Sequence, residues 1–297
     1  PHLHTNSRRQ RQMCIRDRNK WSKYALNLFR VPESCLPPIV PVKHNYGTMF
    51  NSNIELKVVI GDQQAAFIGN NGLQQNTLAA NYGTSASIQL NVGPTPKIIN
   101  GLISSILFSN SKEKVFMVEG TINSCNSLFY YLEKKFNIDH QLMNWNERVK
   151  NIETDGIFIP GFSGIASPYW KTGFEDILID LDGNINQTIR AAMESIGFLT
   201  YDILSFFKKN KFSVSNDLIV SGGAARPSLL QFIADITRKN MHLTKLKDKT
   251  AYGVLKILSN QLDQTSKIRL NEKIIFSPKN KNKSKVEKWH KSINSYL

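Results

Sequence analysis

The run from Leu56 to Ile68 constrains the fold of this chain more than any other stretch, because it predicts a strand, a turn and a helix in immediate succession. Leu56 to Ile60 is a short β-branched run typical of a buried strand, Gly61 breaks it, and Gln63 to Ile68 has helix-forming composition. Asp62 is thereby predicted to lie at the carboxyl end of a strand, where open α/β sheets bind their ligands. A carboxylate in that place either takes part in chemistry or caps the next helix.

A second informative stretch follows closely. Two strand-like runs, Asn76 to Tyr82 and Ser87 to Val92, flank the small residues Gly83, Thr84 and Ser85. A tight turn of this composition exposes backbone N–H groups and hydroxyls, which can cradle a phosphate. Two elements suited to phosphate chemistry within one short segment favour function over simple helix capping.

A glycine pair forms a comparable turn later in the chain. Asp217 to Val220 reads as a strand, Ser221 to Ala225 as its turn, and Pro227 as the first residue of a helix. Glycine lets the backbone approach a ligand closely, and the amino terminus of the helix points its N–H groups at that ligand. A lone Gly-Gly turn is usually just tight packing, but together with the Gly83 turn it supports nucleotide binding.

Six short motifs occur in a fixed order along the chain. They are Gly61 to Phe67, Asn76 to Thr84, Val118 to Gly120, Ile159 to Trp170, Arg190 to Phe198, and Ser221 to Arg226. In this order they resemble the carboxyl-terminal half of the FGGY carbohydrate kinases, from about Trp21 to the last residue. The resemblance implies an α/β fold, an actin-like, ribonuclease H-like ATPase domain, and phosphorylation of a polyol or sugar hydroxyl that depends on ATP and magnesium. Glycerol is the expected acceptor and glycerol 3-phosphate the expected product.

The resemblance also assigns roles to residues. Asp62 is expected to accept the proton of the acceptor hydroxyl and to bind Mg²⁺ directly or through water, with Gln63 orienting the acceptor. The expected nucleotide-binding residues are Gly83, Thr84, Asn126, Tyr130, Gly222, Gly223 and Ala224. Asn126 and Tyr130 stand where the family usually has Gly and Gln. Pro227 stands where the family commonly has an Asn for the adenine.

Two other functions stay open. Within the enzyme class the alternative is a kinase for a ketose such as xylulose, ribulose or sedoheptulose. From a different class, the chain could be an actin-like module that binds nucleotide and a partner without catalysis. Retention of Asp62 weighs against that module, because a binding protein has no use for a base there.

The 297 residues are too few for the two comparable halves that the resembled family has. We therefore expect a fragment that lacks most of its amino-terminal domain and is inactive alone. Residues 1–18 are predicted to be extraneous or disordered, 19–55 to be a remnant of the amino-terminal kinase domain, and 56–297 to be the carboxyl-terminal FGGY kinase domain. The Arg-rich start could also mimic a transit peptide.

The net charge of +15 raises the question of nucleic-acid binding, but its distribution argues against it. Residues 1–20 carry six Arg or Lys and one Asp, and residues 271–297 carry seven Lys and two Glu. Ten of the fifteen charges therefore belong to the two ends, without the interleaved aromatic residues of a nucleic-acid surface. The expected partners are ATP and a small polyol or sugar, with no nucleic acid and no membrane, and a homo-oligomer of the full-length protein is possible.

Cysteine content and hydropathy predict the compartment. The three cysteines, Cys14, Cys35 and Cys125, have no metal-like spacing and read as free thiols in a reducing compartment. No apolar run is long enough to cross a bilayer, and no secretory signal is present. We therefore predict a cytoplasmic protein.

Two helices are predicted where their starts matter for the argument. One begins at Thr121, which would cap it, directly after the strand that ends at Glu119 and Gly120. The other is a long helix capped by Asn186. Its apolar stripe is Ile189, Ala192, Ile196, Leu199, Ile203 and Phe207. Nothing titratable lies on this stripe, so it is predicted to be core and not a cofactor site.

Overall fold

The computed structural model describes residues 20–181, 183–244, 246, 248–259, 273–280 and 282–296. The segment 1–18, predicted to be extraneous, lies outside these residues. The chain divides into two compact units. The first comprises Pro1–Thr77, Gln89–Glu119 and Leu246–Arg269, and the second comprises Leu78–Ile88, Gly120–Lys245 and Leu270–Leu297.

Helices and strands alternate through most of the described chain. The helices are α1 Lys23–Phe29, α2 Asp62–Gly69, α3 Asn126–Phe136, α4 Trp145–Val149, α5 Ile185–Lys209, α6 Pro227–Thr237, α7 Lys249–Leu258 and α8 Lys283–Tyr296. The strands are β1 Leu78–Tyr82, β2 Ala86–Gly93, β3 Ile103–Ser109, β4 Lys114–Ile122, β5 Ile157–Ile159, β6 Ile177–Ile179, β7 Asp217–Ser221, β8 Asn240–Thr244 and β9 Lys273–Phe276. In the described residues, no helix combines the length and the apolar character needed to span a bilayer.

The second unit contains parallel pairing between strands that are far apart in sequence. Strand β7 lies between β1 and β8 and is parallel to both, with Ala80 opposite Val220 and Leu218 opposite Met241. Strand β9 then pairs antiparallel with β8. Because β1 and β7 are parallel neighbours, the turns that follow them emerge at the same edge of the sheet. These are the Gly83 and Gly222 turns singled out in the sequence.

The buried strand predicted for Leu56 to Ile60 is wrong. The segment pairs with residues 42–47 through irregular backbone hydrogen bonds, for example from the Tyr46 N–H to the Leu56 carbonyl at 2.9 Å. Only isolated bridges form, and the side chains of Leu56 and Val59 are 40% and 50% exposed. A β-branched run indicates a local preference for extended backbone. A buried strand also requires neighbouring strands and other elements that cover its side chains.

The predicted start of α3 at Thr121 is also wrong. Strand β4 continues through Glu119 and Gly120 to Ile122, and α3 begins only at Asn126, after the buried Cys125. Burial raises the pKa of the Cys125 thiol above its usual range. Because the thiol stays protonated, Cys125 serves as packing at the start of this helix.

Helix α5 forms the core of the second unit. It begins at Ile185, because Asn184 accepts hydrogen bonds from the amides of Asn186 and Gln187 and is the actual cap in place of the predicted Asn186. The predicted apolar stripe is buried along its whole length. Phe198 stacks on Trp289 of α8 with ring centroids 5.1 Å apart and meets Phe232 of α6 edge-on at 5.3 Å.

Two carboxylates of α5 that lie outside the predicted apolar stripe, Glu194 and Asp202, are also buried. Glu194 is 1% exposed and accepts hydrogen bonds from Arg190 at 2.7 Å and Lys285 at 2.9 Å. Asp202 accepts hydrogen bonds from Tyr169 at 2.8 Å and from Trp289 at 2.7 Å, and His290 Nε2 lies 2.7 Å from its other oxygen. Buried carboxylates require such hydrogen-bond partners. Of the five partner residues, three come from α8, namely Lys285, Trp289 and His290.

The contact between His290 and Asp202 predicts how stability depends on pH. The hydrogen bond to Asp202 raises the pKa of His290 above its ordinary value, although partial burial opposes the shift. The contribution of this pair is therefore fully present below about pH 6.5, the unfolded value, and is lost as pH rises through the folded pKa.

We expect His290→Gln to lower the free energy of unfolding relative to wild type more at pH 6 than at pH 9. Because the side chain is partly exposed, the difference should not exceed about 1 kcal/mol. Chemical denaturation at both pH values measures it. His140→Gln, which changes a more exposed histidine beside Glu133, is the control. An equal loss for His290→Gln at both pH values would contradict the assignment.

Candidate functional site

Asp62 and Gln63 lie together at the start of α2 in the first unit. Asp62 is the first helical residue, and Gly61 before it has no side chain that could cap the helix. The Asp62 side chain is exposed, and its Oδ1 accepts a hydrogen bond from the Gln63 N–H at 2.8 Å. Gln63 Oε1 is buried and has no hydrogen-bond partner among the residues that the structure describes. The helix start thus presents an accessible carboxylate beside an amide side chain with a free acceptor.

Helix α7 fixes the position of α2 through a close backbone contact. A Cβ on Gly253 would collide with the Ala65 carbonyl and lie 3.0 Å from the Gly69 nitrogen. In the same way, a Cβ on Gly69 would collide with the Lys249 carbonyl. The two helices therefore pack backbone to backbone. The Thr250 hydroxyl, at the start of α7, also donates to the Asp62 carbonyl at 3.4 Å.

The turn Gly83 to Ser85, in the second unit, caps helix α3. The turn is closed by a hydrogen bond from the Gly83 N–H to the Ser85 carbonyl at 2.9 Å. Its outward carbonyls accept from the start of α3, with Asn126 N–H donating to Gly83 and Cys125 N–H to Thr84, both at 2.9 Å. The turn and the helix therefore form one hydrogen-bonded piece, with the Thr84 side chain exposed at its tip.

The Gly222 turn lies against the end of β1. Gly222 has φ +104°, and a Cβ there would collide with the Tyr82 carbonyl, so no other residue fits. The Ala224 N–H donates to the same Tyr82 carbonyl at 2.8 Å, and Ala224 is buried. Gly222 and Ala224 thus hold the turn in place. Gly223 between them is exposed, with open space where a Cβ would be.

Asn126 and Tyr130 share one face of α3, one turn apart. Asn126 is half-buried, whereas Tyr130 is 46% exposed and stacks on His140 with ring centroids 5.7 Å apart. The structure therefore groups all seven residues predicted to bind nucleotide in the second unit. Asp62 and Gln63 belong to the first unit.

The loop after β5 is tied down by Asp176. Its carboxylate accepts from the Gly161 N–H at 3.0 Å, the Tyr131 hydroxyl at 2.5 Å and Lys135 at 2.8 Å. Burial acts to raise the pKa of Asp176, but these hydrogen bonds outweigh it and the pKa is lowered. Asp176 therefore stays ionised and anchors this loop to α3.

Sequence reasoning did not include Arg226 among the site residues. Arg226 is exposed directly after the glycine turn, and its Nε donates to the Gly223 carbonyl at 3.3 Å. Its guanidinium lies over the Trp145 ring, 5.7 Å from the ring centroid. The motif Ser221 to Arg226 contains the residue, but the contact with Trp145 is visible only in the structure.

The described side chains supply part of what a magnesium site requires. Among the described residues, no group of three or more His, Cys, Asp or Glu side chains is arranged to hold a metal ion. Mg²⁺ usually retains several waters and binds through one or two carboxylates and substrate phosphates. The exposed Asp62 carboxylate fits one such ligand.

Comparison with known proteins adds a family match. Residues 78–259, more than half of the chain, match the family model described as the FGGY family of carbohydrate kinases, C-terminal domain. Among curated proteins, the chain is 25% identical over 303 residues to glycerol kinase of Mycoplasma genitalium, covering 94% of this chain and 59% of that protein. It is 30% identical over 244 residues to glycerol kinase 1 of Clostridium tetani, covering 79% of this chain and 49% of that protein.

The fold of this chain is similar to that of solved structures over nearly its whole length. Plasmodium falciparum glycerol kinase with ADP superposes with a TM-score of 0.79 at 24% identity, covering 95% of this chain and 60% of that one. Ligand-bound xylulose kinase of Lactobacillus acidophilus gives a TM-score of 0.75 at 18% identity, covering 94% and 60%. The chain thus spans about half to three fifths of the length of these relatives.

Proposed function

Because the chain belongs to the FGGY family of carbohydrate kinases, we propose that the protein of which it forms part phosphorylates a polyol or sugar hydroxyl with ATP. The observation that carries the proposal is the family match over residues 78–259. Glycerol is the proposed acceptor, because the curated relatives described above are glycerol kinases. A ketose is the second candidate, favoured by the likeness to a xylulose kinase structure.

Asp62 is the proposed base. As the acceptor oxygen attacks the terminal phosphorus, its O–H bond breaks and the proton passes to the Asp62 carboxylate, while the bond from phosphorus to the leaving ADP oxygen breaks. Positioning of the carboxylate contributes more than its basicity when the proton leaves late. The buried Gln63 Oε1, which lacks a partner in the described residues, supports a role in orienting an acceptor hydroxyl.

Magnesium is proposed as the ion that accompanies ATP. When bound, it would neutralise negative charge on the transferring phosphoryl group. Asp62 is the residue of this chain proposed to hold it, directly or through water, because its carboxylate is exposed and, among the described residues, Oδ1 accepts a hydrogen bond from the Gln63 N–H alone. Gln63, in turn, would keep that carboxylate oriented at the start of α2.

The nucleotide is proposed to bind at the Gly83 and Gly222 turns. Support comes from two turns that follow parallel neighbouring strands, with Thr84 and Gly223 exposed at their tips. The Gly83 turn is hydrogen-bonded to α3 and the Gly222 turn to β1. Because both turns are already ordered, nucleotide binding costs little conformational entropy of the protein. Tyr130, exposed on α3, offers an aromatic surface for the base.

Residues 19–55 are proposed to belong to a preceding domain. Several large apolar side chains in this stretch are exposed, among them Tyr24 at 65% and Phe50 at 93%. These exposed side chains support the proposal, because another part of a protein commonly covers large exposed apolar surface. On the basis of the sequence alone, a cytoplasmic location and a possible homo-oligomer of the full-length protein are also proposed.

Turnover on a panel of acceptors tests the function. The full-length protein, supplied with ATP and magnesium, is expected to release ADP with glycerol faster than with xylulose, ribulose or sedoheptulose. Coupled detection of ADP measures the rate, and a reaction without acceptor gives the background hydrolysis. Turnover on a ketose with none on glycerol would favour the second candidate. Background rates with every acceptor would indicate the non-catalytic nucleotide-binding module.

A further inference from the structure

Both helix amino termini beside the proposed nucleotide turns have already used their first amides. On α3, the Asn126 and Ser127 N–H groups donate to the carbonyls of Gly83 and Thr84. On α6, Pro227 has no N–H, and the Ser228 N–H donates to Asn146 Oδ1 at 3.1 Å. These helix-start amides are therefore not available to an anion at the turns, and a charged side chain beside the turns can supply hydrogen bonds in their place.

Arg226 holds a guanidinium beside the Gly222 turn. Its Nε is engaged by the Gly223 carbonyl at 3.3 Å, which leaves the terminal guanidinium nitrogens available to an external acceptor. It makes no ion pair with any residue that the structure describes. An exposed guanidinium therefore lies beside the exposed Gly223, and no carboxylate of the described part of the chain is paired with it.

The guanidinium is also held in orientation from below. Trp145 is 4% exposed and stacks on Phe129 of α3 with ring centroids 4.2 Å apart and planes within 5°. Arg226 lies over the Trp145 ring. Because the platform is buried and rigid, the arginine loses less conformational freedom when it binds an anion than a free surface arginine would.

We propose that Arg226 binds a phosphate group of the nucleotide, with Trp145 as its positioning residue. The inference rests on the proposed nucleotide-dependent function and names the residue that reads the nucleotide's charge. A guanidinium has five donors and no acceptor, and its planar fork matches phosphate oxygens in a bidentate manner. It is suited to the phosphates more than to a base, whose edge offers donors as well as acceptors.

Titration calorimetry of the full-length protein with ADP and with adenosine tests this assignment. We expect Arg226→Met to weaken ADP binding about tenfold to a hundredfold, the typical value of a hydrogen-bonded charge pair. Adenosine affinity should change less than about twofold, because adenosine has no phosphate. The dependence of ADP affinity on salt should also become shallower.

Arg238→Met is the matched control, because Arg238 is an exposed arginine at the other end of α6. It should leave ADP affinity unchanged, and equal melting temperatures for the variants exclude misfolding. Equal losses for ADP and adenosine would overturn the phosphate assignment in favour of a base contact. Unchanged ADP affinity in Arg226→Met would overturn the role of Arg226 alone. Failure of the wild-type protein to bind either ligand would overturn the proposed nucleotide function itself, and this inference with it.

Discussion

Asp62→Asn in the full-length protein is expected to lower kcat by roughly a hundredfold to ten-thousandfold, the usual contribution of a positioned general base. The amide keeps the size of the side chain, and its oxygen can still accept the hydrogen bond from the Gln63 N–H. Removal of proton acceptance is therefore the main change. ADP affinity should vary by less than about twofold if binding is carried by the turns of the second unit.

Steady-state rates with saturating acceptor and an ADP titration measure the two effects. Glu55→Gln is the control, since Glu55 is an exposed carboxylate of the same unit that pairs with Lys57. If Asp62 serves only the helix start, Asn replaces it with little loss, because Asn and Asp stabilise helix starts about equally. A decrease in kcat below tenfold would therefore refute the base assignment.

Gly253→Ala is expected to lower the free energy of unfolding by about 1–3 kcal/mol, the usual cost of overpacking. Alanine in an unhindered helix interior would instead raise stability by up to about 1 kcal/mol relative to glycine. The sign of the effect therefore separates the two cases. The added Cβ would collide with the Ala65 carbonyl, so α2 and α7 have to move apart.

Thermal and chemical unfolding measure the loss, and Leu255→Ala, on the exposed side of the same helix, should change stability by no more than about 0.5 kcal/mol. Because α2 carries Asp62, Gly253→Ala should also lower kcat at temperatures below its melting transition, where the variant is still folded. A displacement of about 1 Å can cost a hundredfold in rate. Unchanged or increased stability of Gly253→Ala would show that the helices are not in the close contact described.

The family, the α/β class and many elements could be predicted from the sequence. Strands β1 and β2 and the stripe of α5 have clear periodicity, and the resemblance to FGGY kinases is confirmed by the family match. The prediction for Leu56 to Ile60 failed because local β propensity cannot reveal whether a sheet covers the segment. The start of α3 was misplaced because its cap comes from the Gly83 turn, about forty residues earlier.

The candidate site was predicted in part, for a similar reason. The glycine turns carry strong local signals, so Gly83 and Gly222 could be singled out. Arg226 could not, because its proposed role depends on contact with Trp145, a residue far away in the sequence. That Ala224 uses its N–H within the fold was equally invisible, since the acceptor is the carbonyl of Tyr82.

The buried carboxylates of α5 have a consequence for biosynthesis. Glu194 and Asp202 leave the ribosome long before Lys285, Trp289 and His290, which supply most of their hydrogen bonds. Until α8 is translated, these two carboxylates have to stay hydrated, and the apolar face of α5 cannot close around them without a large desolvation cost. The second unit therefore completes its folding only after residue 290 has emerged, and a nascent chain stalled before α8 would remain a target for chaperones and proteases.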